Sequence, residues 1–188
     1  MRAISLEEVK SIIGLIRNGF IDNNGKKHKA NKEIAFALNL QSNLGLRIGD
    51  VLKLTINDIV LENNRYHLKL VETKTKKLRT FTVPTEIYNY MRIYQLENGI
   101  KDNEPLIKTS VRNIQKILKY ATETLGLEDI STHSFRKYFA TTIYMNNSYD
   151  IRLVQELLQH SDISTTQRYV GVSSQRIENA IMNHTNIV

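Results

Sequence analysis

The chain has 188 residues, enough for one good core, and 41 % hydrophobic with 24 % charged residues is the composition of an ordinary globular protein. It has no cysteine, which excludes disulfides, thiolate catalysis and Cys-ligated zinc. It also shows no apolar run near the roughly 18 residues of a membrane span and no signal-peptide core, so a cytoplasmic protein without membrane contact is expected. The formal net charge of +7 points to an anionic partner.

In chain order, Ser5-Leu6-Glu7-Glu8 is a capping box, and Leu6, Val9, Ile12, Ile13 and Ile16 recur behind it at helical spacing. This predicts a helix over Ser5–Arg17. Gly19 to Ala30 is polar and reads as a loop, with a basic run at Lys26, Lys27, Lys29 and Lys32. Lys32–Asn43 reads as a buried helix and Ile48–Leu52 as a short one. The period then changes. Asp58–Leu61, Tyr66–Val71 and Leu78–Val83 are short β-rich runs separated by Asn63-Asn64 and Thr73–Lys77. Between Arg65 and Arg79 six basic residues stand against the single acid Glu72, a run that taken alone is a solvated face. Pro84 ends the last strand, and Thr85 is expected to cap a helix to about Leu96. Helices follow over Ser110–Leu125, Thr132–Asn146, Asp150–Gln159, Ser164–Tyr169 and Ser174–Met182. The expected fold class is mainly α with a small three-stranded antiparallel sheet, in a single domain over 1–188.

Four segments carry the chemistry: Leu44-Gly45-Leu46-Arg47-Ile48-Gly49-Asp50; the basic turn Glu72-Thr73-Lys74-Thr75-Lys76-Lys77; Thr132-His133-Ser134-Phe135-Arg136-Lys137; and Leu157-Leu158-Gln159-His160, followed nine residues later by Tyr169. Breaking a phosphodiester needs a nucleophile, positive charge for the transition state and a proton for the leaving oxygen. These residue types supply all three. Taken singly each is weak, because one of nine tyrosines is usually a packing aromatic and a lone Arg a surface salt bridge. The ordered set is specific. It resembles the tyrosine recombinase (phage integrase) family over nearly the whole chain.

The resemblance implies a site-specific DNA recombinase acting through a 3′-phosphotyrosine. Tyr169 is then the nucleophile. Arg47 and Arg136 clamp the non-bridging phosphate oxygens, a task suited to planar, permanently charged guanidinium. Lys74 protonates the leaving 5′-oxygen, with Lys76 and Lys77 in the same turn as alternatives. His133 accepts the tyrosine proton or hydrogen-bonds the phosphate, and His160 donates to the phosphate. Asp50 is read as a structural partner. Lys76, Lys77, Arg79 and Lys137 are expected on DNA.

No cofactor or metal is expected, since the arginines supply the charge a Mg²⁺ ion would give; five scattered histidines without a His-Glu-x-x-His pattern make zinc a poor rival. The partner is double-stranded DNA, bound by a homo-tetramer, with accessory DNA-bending proteins a possible addition. In the family a helix such as that over about 173–184 packs in trans. The chain departs from the family at Gln159, often Gly, and at Lys137, often His. It starts at the catalytic domain and is read either as a short form without the N-terminal core-binding domain or as a piece of a longer recombinase. Three other readings stay open: a type IB topoisomerase-like relaxer, a DNA-binding regulator with a relic site, and a basic helical interaction domain with no DNA role.

Overall fold

The computed structural model describes residues 2–160 and 162–170, the Arg168 side chain excepted. The chain divides into two compact units, residues 1–139 and 140–188. Each is described by itself. The helix expected over about 173–184 lies outside the described residues.

The first unit begins with α1 (Leu6–Asn18). Its capping box is formed as the sequence predicts: Glu8 N donates to Ser5 Oγ at 3.2 Å and Ser5 N to Glu8 Oε2 at 2.8 Å. Val9, Ile12, Ile13 and Ile16 are buried on one face. α2 (Lys32–Leu44) is capped by Asn31, whose side chain accepts from Ile34 N at 2.9 Å. Ile34, Ala35, Phe36, Ala37, Leu38 and Leu40 are all buried, so nearly every face of α2 is covered and it forms the centre of the core. Each large aliphatic side chain removed from water there contributes about 1.5–3 kcal/mol.

Gly19–Ala30 is not wholly a loop. Phe20–Ile21 (β1) and Lys27–His28 (β2) pair antiparallel. The Phe20 ring stacks on His28 at 4.6 Å, and His28 meets Tyr120 at 4.8 Å. Asp22 ties the turn by accepting from the backbone of Asn24 and Lys26 and by bonding His28 Nε2 at 2.8 Å. These long-range ring contacts impose a hairpin on a stretch too polar and short to show strand alternation.

After α3 (Ile48–Val51) and a 3₁₀ turn (Ile56–Asp58), three antiparallel strands follow: β3 (Ile59–Glu62), β4 (Arg65–Val71) and β5 (Leu78–Val83). They form the expected three-stranded antiparallel sheet, in the order β3-β4-β5. The register pairs Leu68 with Phe81 and Val71 with Leu78, which places the turn carrying Lys74 at the end of the central ribbon. Tyr66 stacks on Tyr88 at 3.8 Å, joining β4 to α4 (Thr85–Glu97). Pro84, not Thr85, occupies the N-cap of α4, and no side chain caps it. Proline needs no hydrogen-bond partner there, because it has no N–H. α5 (Val111–Thr124) is capped by Ser110.

α6 (Thr132–Asn146) begins in the first unit and ends in the second. In the second unit, α7 (Ile151–Leu158) buries Val154 and Leu158, with Asp150 accepting from Arg152 N and Leu153 N at its start. α8 (Ile163–Val170) packs on α7. Among the described residues, no helix is long and apolar enough to cross a membrane.

Candidate active site

In the first unit the site is built where α2 stops. Gly45 takes the left-handed conformation (φ +60°), and its N–H returns to Gln41 O at 3.0 Å. A Cβ there would lie 2.2 Å from Phe139 Cδ1, so only glycine lets α2 approach the ring on α6. The chain then buries Leu46 and extends Arg47 as the N-cap of α3. Arg136, on α6, donates from Nη1 to Gly45 O at 2.7 Å. The turn that ends α2 therefore delivers one arginine along the chain and holds the other by its carbonyl. The Arg136 side chain is fully buried (0 % exposed).

The hairpin between β4 and β5 supplies the lysines. Glu72 N donates to Lys77 O, and Lys76 N to Glu72 O, each at 3.0 Å. Lys76 sits in the left-handed region (φ +57°) that lets the turn close. Thr73 N donates to Asp50 Oδ1 at 2.8 Å, which ties the turn to α3, and Asp50 is buried as a structural partner would be. Lys74, Lys76 and Lys77 are all exposed.

Arg79 corrects the expectation of a DNA contact. Its side chain is 1 % exposed and its Nη1 donates to Glu72 at 3.1 Å. Both terminal nitrogens of this guanidinium are committed inside the protein, Nη1 to the Glu72 carboxylate and Nη2 to Leu44 O at 3.5 Å, so it neutralises a buried carboxylate. Glu72 was not singled out by the sequence. It is wholly buried and accepts from Arg47, from Arg79 and from Thr75 Oγ1 at 2.9 Å. Burial alone would raise its carboxyl, but the hydrogen bonds from Thr75 and Arg79 and the charge of Arg47 outweigh that and hold it below the usual carboxylate range. The available signal was its position as the single acid in a basic stretch.

His133 lies on the first turn of α6, three residues before Arg136, and is exposed. Partial desolvation lowers its pKa, and the positive charges of Arg136, Arg47, Lys74 and Lys137 lower it further. Two of these charges stand on the same helix, and two, Arg47 and Lys74, come from distant segments of the chain.

The second unit holds the remaining two candidates. α7 ends at Gln159 in the left-handed conformation (φ +51°, ψ +41°). That geometry is the reason glycine suits this position in the resembled family, and here glutamine adopts it. The reversal turns His160 toward α8. His160 Nδ1 lies 3.0 Å from Thr166 Oγ1, and its ring meets Tyr169 edge-on with centroids 5.0 Å apart at 62°. Thr166 is buried and fixes the ring plane, a role the sequence reading did not assign. Thr141 Oγ1 on α6 also reaches Tyr169 O at 3.5 Å. Among the described residues, no group of His, Asp or Glu is arranged to hold a metal ion.

Helices with a three-stranded sheet and a short two-stranded hairpin, two arginines and a hairpin lysine in reach of one histidine's charge environment, and a histidine–tyrosine pair on adjoining helices describe the catalytic-domain fold of tyrosine recombinases. The chain belongs to the phage integrase family, whose model matches residues 2–176. It is 36 % identical over 149 residues to the probable integrase/recombinase YoeC of Bacillus subtilis, covering 76 % of this chain and 79 % of that protein. It is 33 % identical over 148 residues to the tyrosine recombinase XerA of Pyrococcus furiosus, covering 73 % of this chain but spanning only 49 % of that relative. Among solved structures, the catalytic domain of bacteriophage HP1 integrase aligns with a TM-score of 0.66 and 20 % identity, over 98 % of this chain and 95 % of that one. The XerH site-specific recombinase in a post-cleavage complex with its difH substrate aligns with a TM-score of 0.74 and 21 % identity, over 95 % of this chain and 51 % of that one. These structural likenesses establish the fold.

Proposed function

We propose that this chain is a site-specific DNA recombinase that cleaves and rejoins double-stranded DNA through a covalent bond at Tyr169. The observation that carries the reading is the turn at Gly45 in a chain of the phage integrase family: it leads directly into Arg47, accepts from Arg136 Nη1 at 2.7 Å, and is followed by Asp50, which ties down the Lys74 turn through Thr73 N at 2.8 Å. In the reaction, the Tyr169 oxygen attacks the scissile phosphorus, a P–O(Tyr) bond forms and the P–O5′ bond breaks. Neutral His133 takes the tyrosine proton and Lys74 gives one to the leaving 5′-oxygen. Arg47 and Arg136 balance the charge that accumulates on the non-bridging oxygens, the work a Mg²⁺ ion would otherwise do. His160, braced by Thr166, donates to the phosphate beside the tyrosine. Attack of a 5′-hydroxyl on the phosphotyrosine reverses every step, so rejoining to a new strand needs no ATP.

Exposed Lys76 and Lys77, with Lys137, are assigned to the DNA backbone; Arg79 is not. Exchange of four strands calls for a tetramer on two sites, each chain acting as a single catalytic domain in the cytoplasm, with room for DNA-bending accessory proteins. The test uses nicked duplexes from the DNA flanking the gene, denatured in detergent after incubation in EDTA. A covalent protein–DNA band with the wild type and none with Tyr169→Phe is expected. A band from Tyr169→Phe, or one that needs added Mg²⁺, overturns the assignment.

A further inference from the structure

We propose that Glu72 is a positioning residue for cleavage, acting through Arg47: it anchors one end of that guanidinium so that the other end is presented to the scissile phosphate. The inference rests on the recombinase reading above. Its basis is the division of labour around one carboxylate. Glu72 Oε1 is occupied by Arg79 at 3.1 Å, and Oε2 accepts from Arg47 Nη1 and from Thr75 Oγ1 at 2.9 Å. Glu72 is fully buried, whereas the Arg47 side chain keeps 21 % of its surface.

Among the described residues, Arg47 Nη1 bonds only Glu72, and Nη2 and Nε have no protein partner. A guanidinium has five N–H donors in a rigid plane, so fixing one nitrogen fixes the direction of the rest. A carboxylate this close to a phosphate would repel it if uncompensated. Arg79 removes that objection: two guanidinium groups share one carboxylate, and the trio keeps a net positive charge. Arg79 is therefore needed inside the protein, which accounts for a buried arginine at the base of a DNA-facing turn.

The same carboxylate also registers the turn. Thr75, which donates to it, follows Lys74 directly, and the Glu72 backbone closes the turn through Lys76 and Lys77. Two routes to activity are thus conceivable, through Arg47 or through Lys74, and the geometry favours Arg47 because its contact is direct while Lys74 itself makes none with Glu72.

The experiment compares Glu72→Gln, Glu72→Asp, Lys74→Ala and Arg47→Ala with the wild type, in the same adduct assay, on ordinary nicked duplexes and on duplexes with sulfur replacing the scissile 5′-oxygen. A thiolate leaves without a proton, so the sulfur substrate restores cleavage to a protein lacking only its general acid. Circular dichroism selects a temperature at which every variant is folded. Glu72→Gln is expected to slow adduct formation about 10- to 100-fold, the usual effect of a misdirected group. DNA affinity should stay within about twofold, with Glu72→Asp between the two. Sulfur should rescue Lys74→Ala but not Glu72→Gln, and in the Arg47→Ala background Glu72→Gln should add less than about threefold. Wild-type rates in Glu72→Gln, sulfur rescue of it, or a full additional loss on top of Arg47→Ala each overturn the inference while leaving the recombinase reading intact. Absence of any adduct from the wild type overturns that reading, and this inference with it.

Discussion

Replacing Gly45 by alanine tests the physical logic of the turn that serves both arginines. The backbone there has φ +60°, where an L-residue is disfavoured by about 1–2 kcal/mol. The new Cβ would also stand 2.2 Å from Phe139 Cδ1 and 2.6 Å from Cε1, well inside contact distance. Displacing a packed ring adds about 1–3 kcal/mol. The sum is a loss of about 2–5 kcal/mol, or roughly 4–20 °C in Tm for a chain of this size. Calorimetry on Gly45→Ala and on Gly45→Ala/Phe139→Leu separates the two contributions, since the smaller side chain relieves the clash and leaves the backbone cost. Adduct formation should fall in the single variant beyond the loss of folded protein, because Gly45 O holds Arg136 Nη1 at 2.7 Å. A Gly45→Ala protein within about 0.5 kcal/mol of wild type would refute the reasoning, for it would mean that the turn relaxes freely.

The buried reading of Arg79 predicts that Arg79→Ala costs about 3–5 kcal/mol in urea denaturation, because Glu72 loses one of its two cationic partners in the interior. Lys76→Ala and Lys77→Ala should instead leave stability within about 0.5 kcal/mol and each reduce the slope of log affinity against log salt by about one; a reduced slope with an unchanged Tm in Arg79→Ala would reverse the assignment. The lowered His133 pKa fixes a sign as well. The unfolded chain takes up the imidazole proton at a higher pH than the folded one, so the contribution of neutral His133 to stability is present above about 6.5 and is lost as pH falls through the folded value. Tm measured from pH 7.5 downward should drop less in His133→Asn than in the wild type, and cleavage by the wild type should hold below pH 6.5 before it declines. An identical pH profile in the two proteins would show that His133 is not the group responsible.

Local chemistry made much of this protein legible from its residues. The Ser5–Glu8 capping box, the helical spacing of Val9, Ile12, Ile13 and Ile16, the β-rich runs of β4 and β5, and the i, i+3 relation of His133 and Arg136 depend on neighbours within a few positions, and a sequence displays those directly. The order of the arginine, lysine, histidine and tyrosine segments likewise identified the family. What it misplaced depends on partners far along the chain. The hairpin β1–β2 exists because His28, stacked on Phe20, meets Tyr120 far along the chain. Arg79 reads as one more cation in a basic turn, and only the folding of β5 against the end of α2 and the Glu72 carboxylate makes it an interior residue. Glycine at 45 is visible as a helix stop, yet its necessity comes from Phe139 on another helix. Charge and periodicity are properties of the chain and can be counted along it, whereas burial is a property of what the chain is packed against. The sequence by itself therefore determined which chemistry the protein carries, and the tertiary structure decided which of its many cations face outward and which, Arg79 and Arg136, are enclosed.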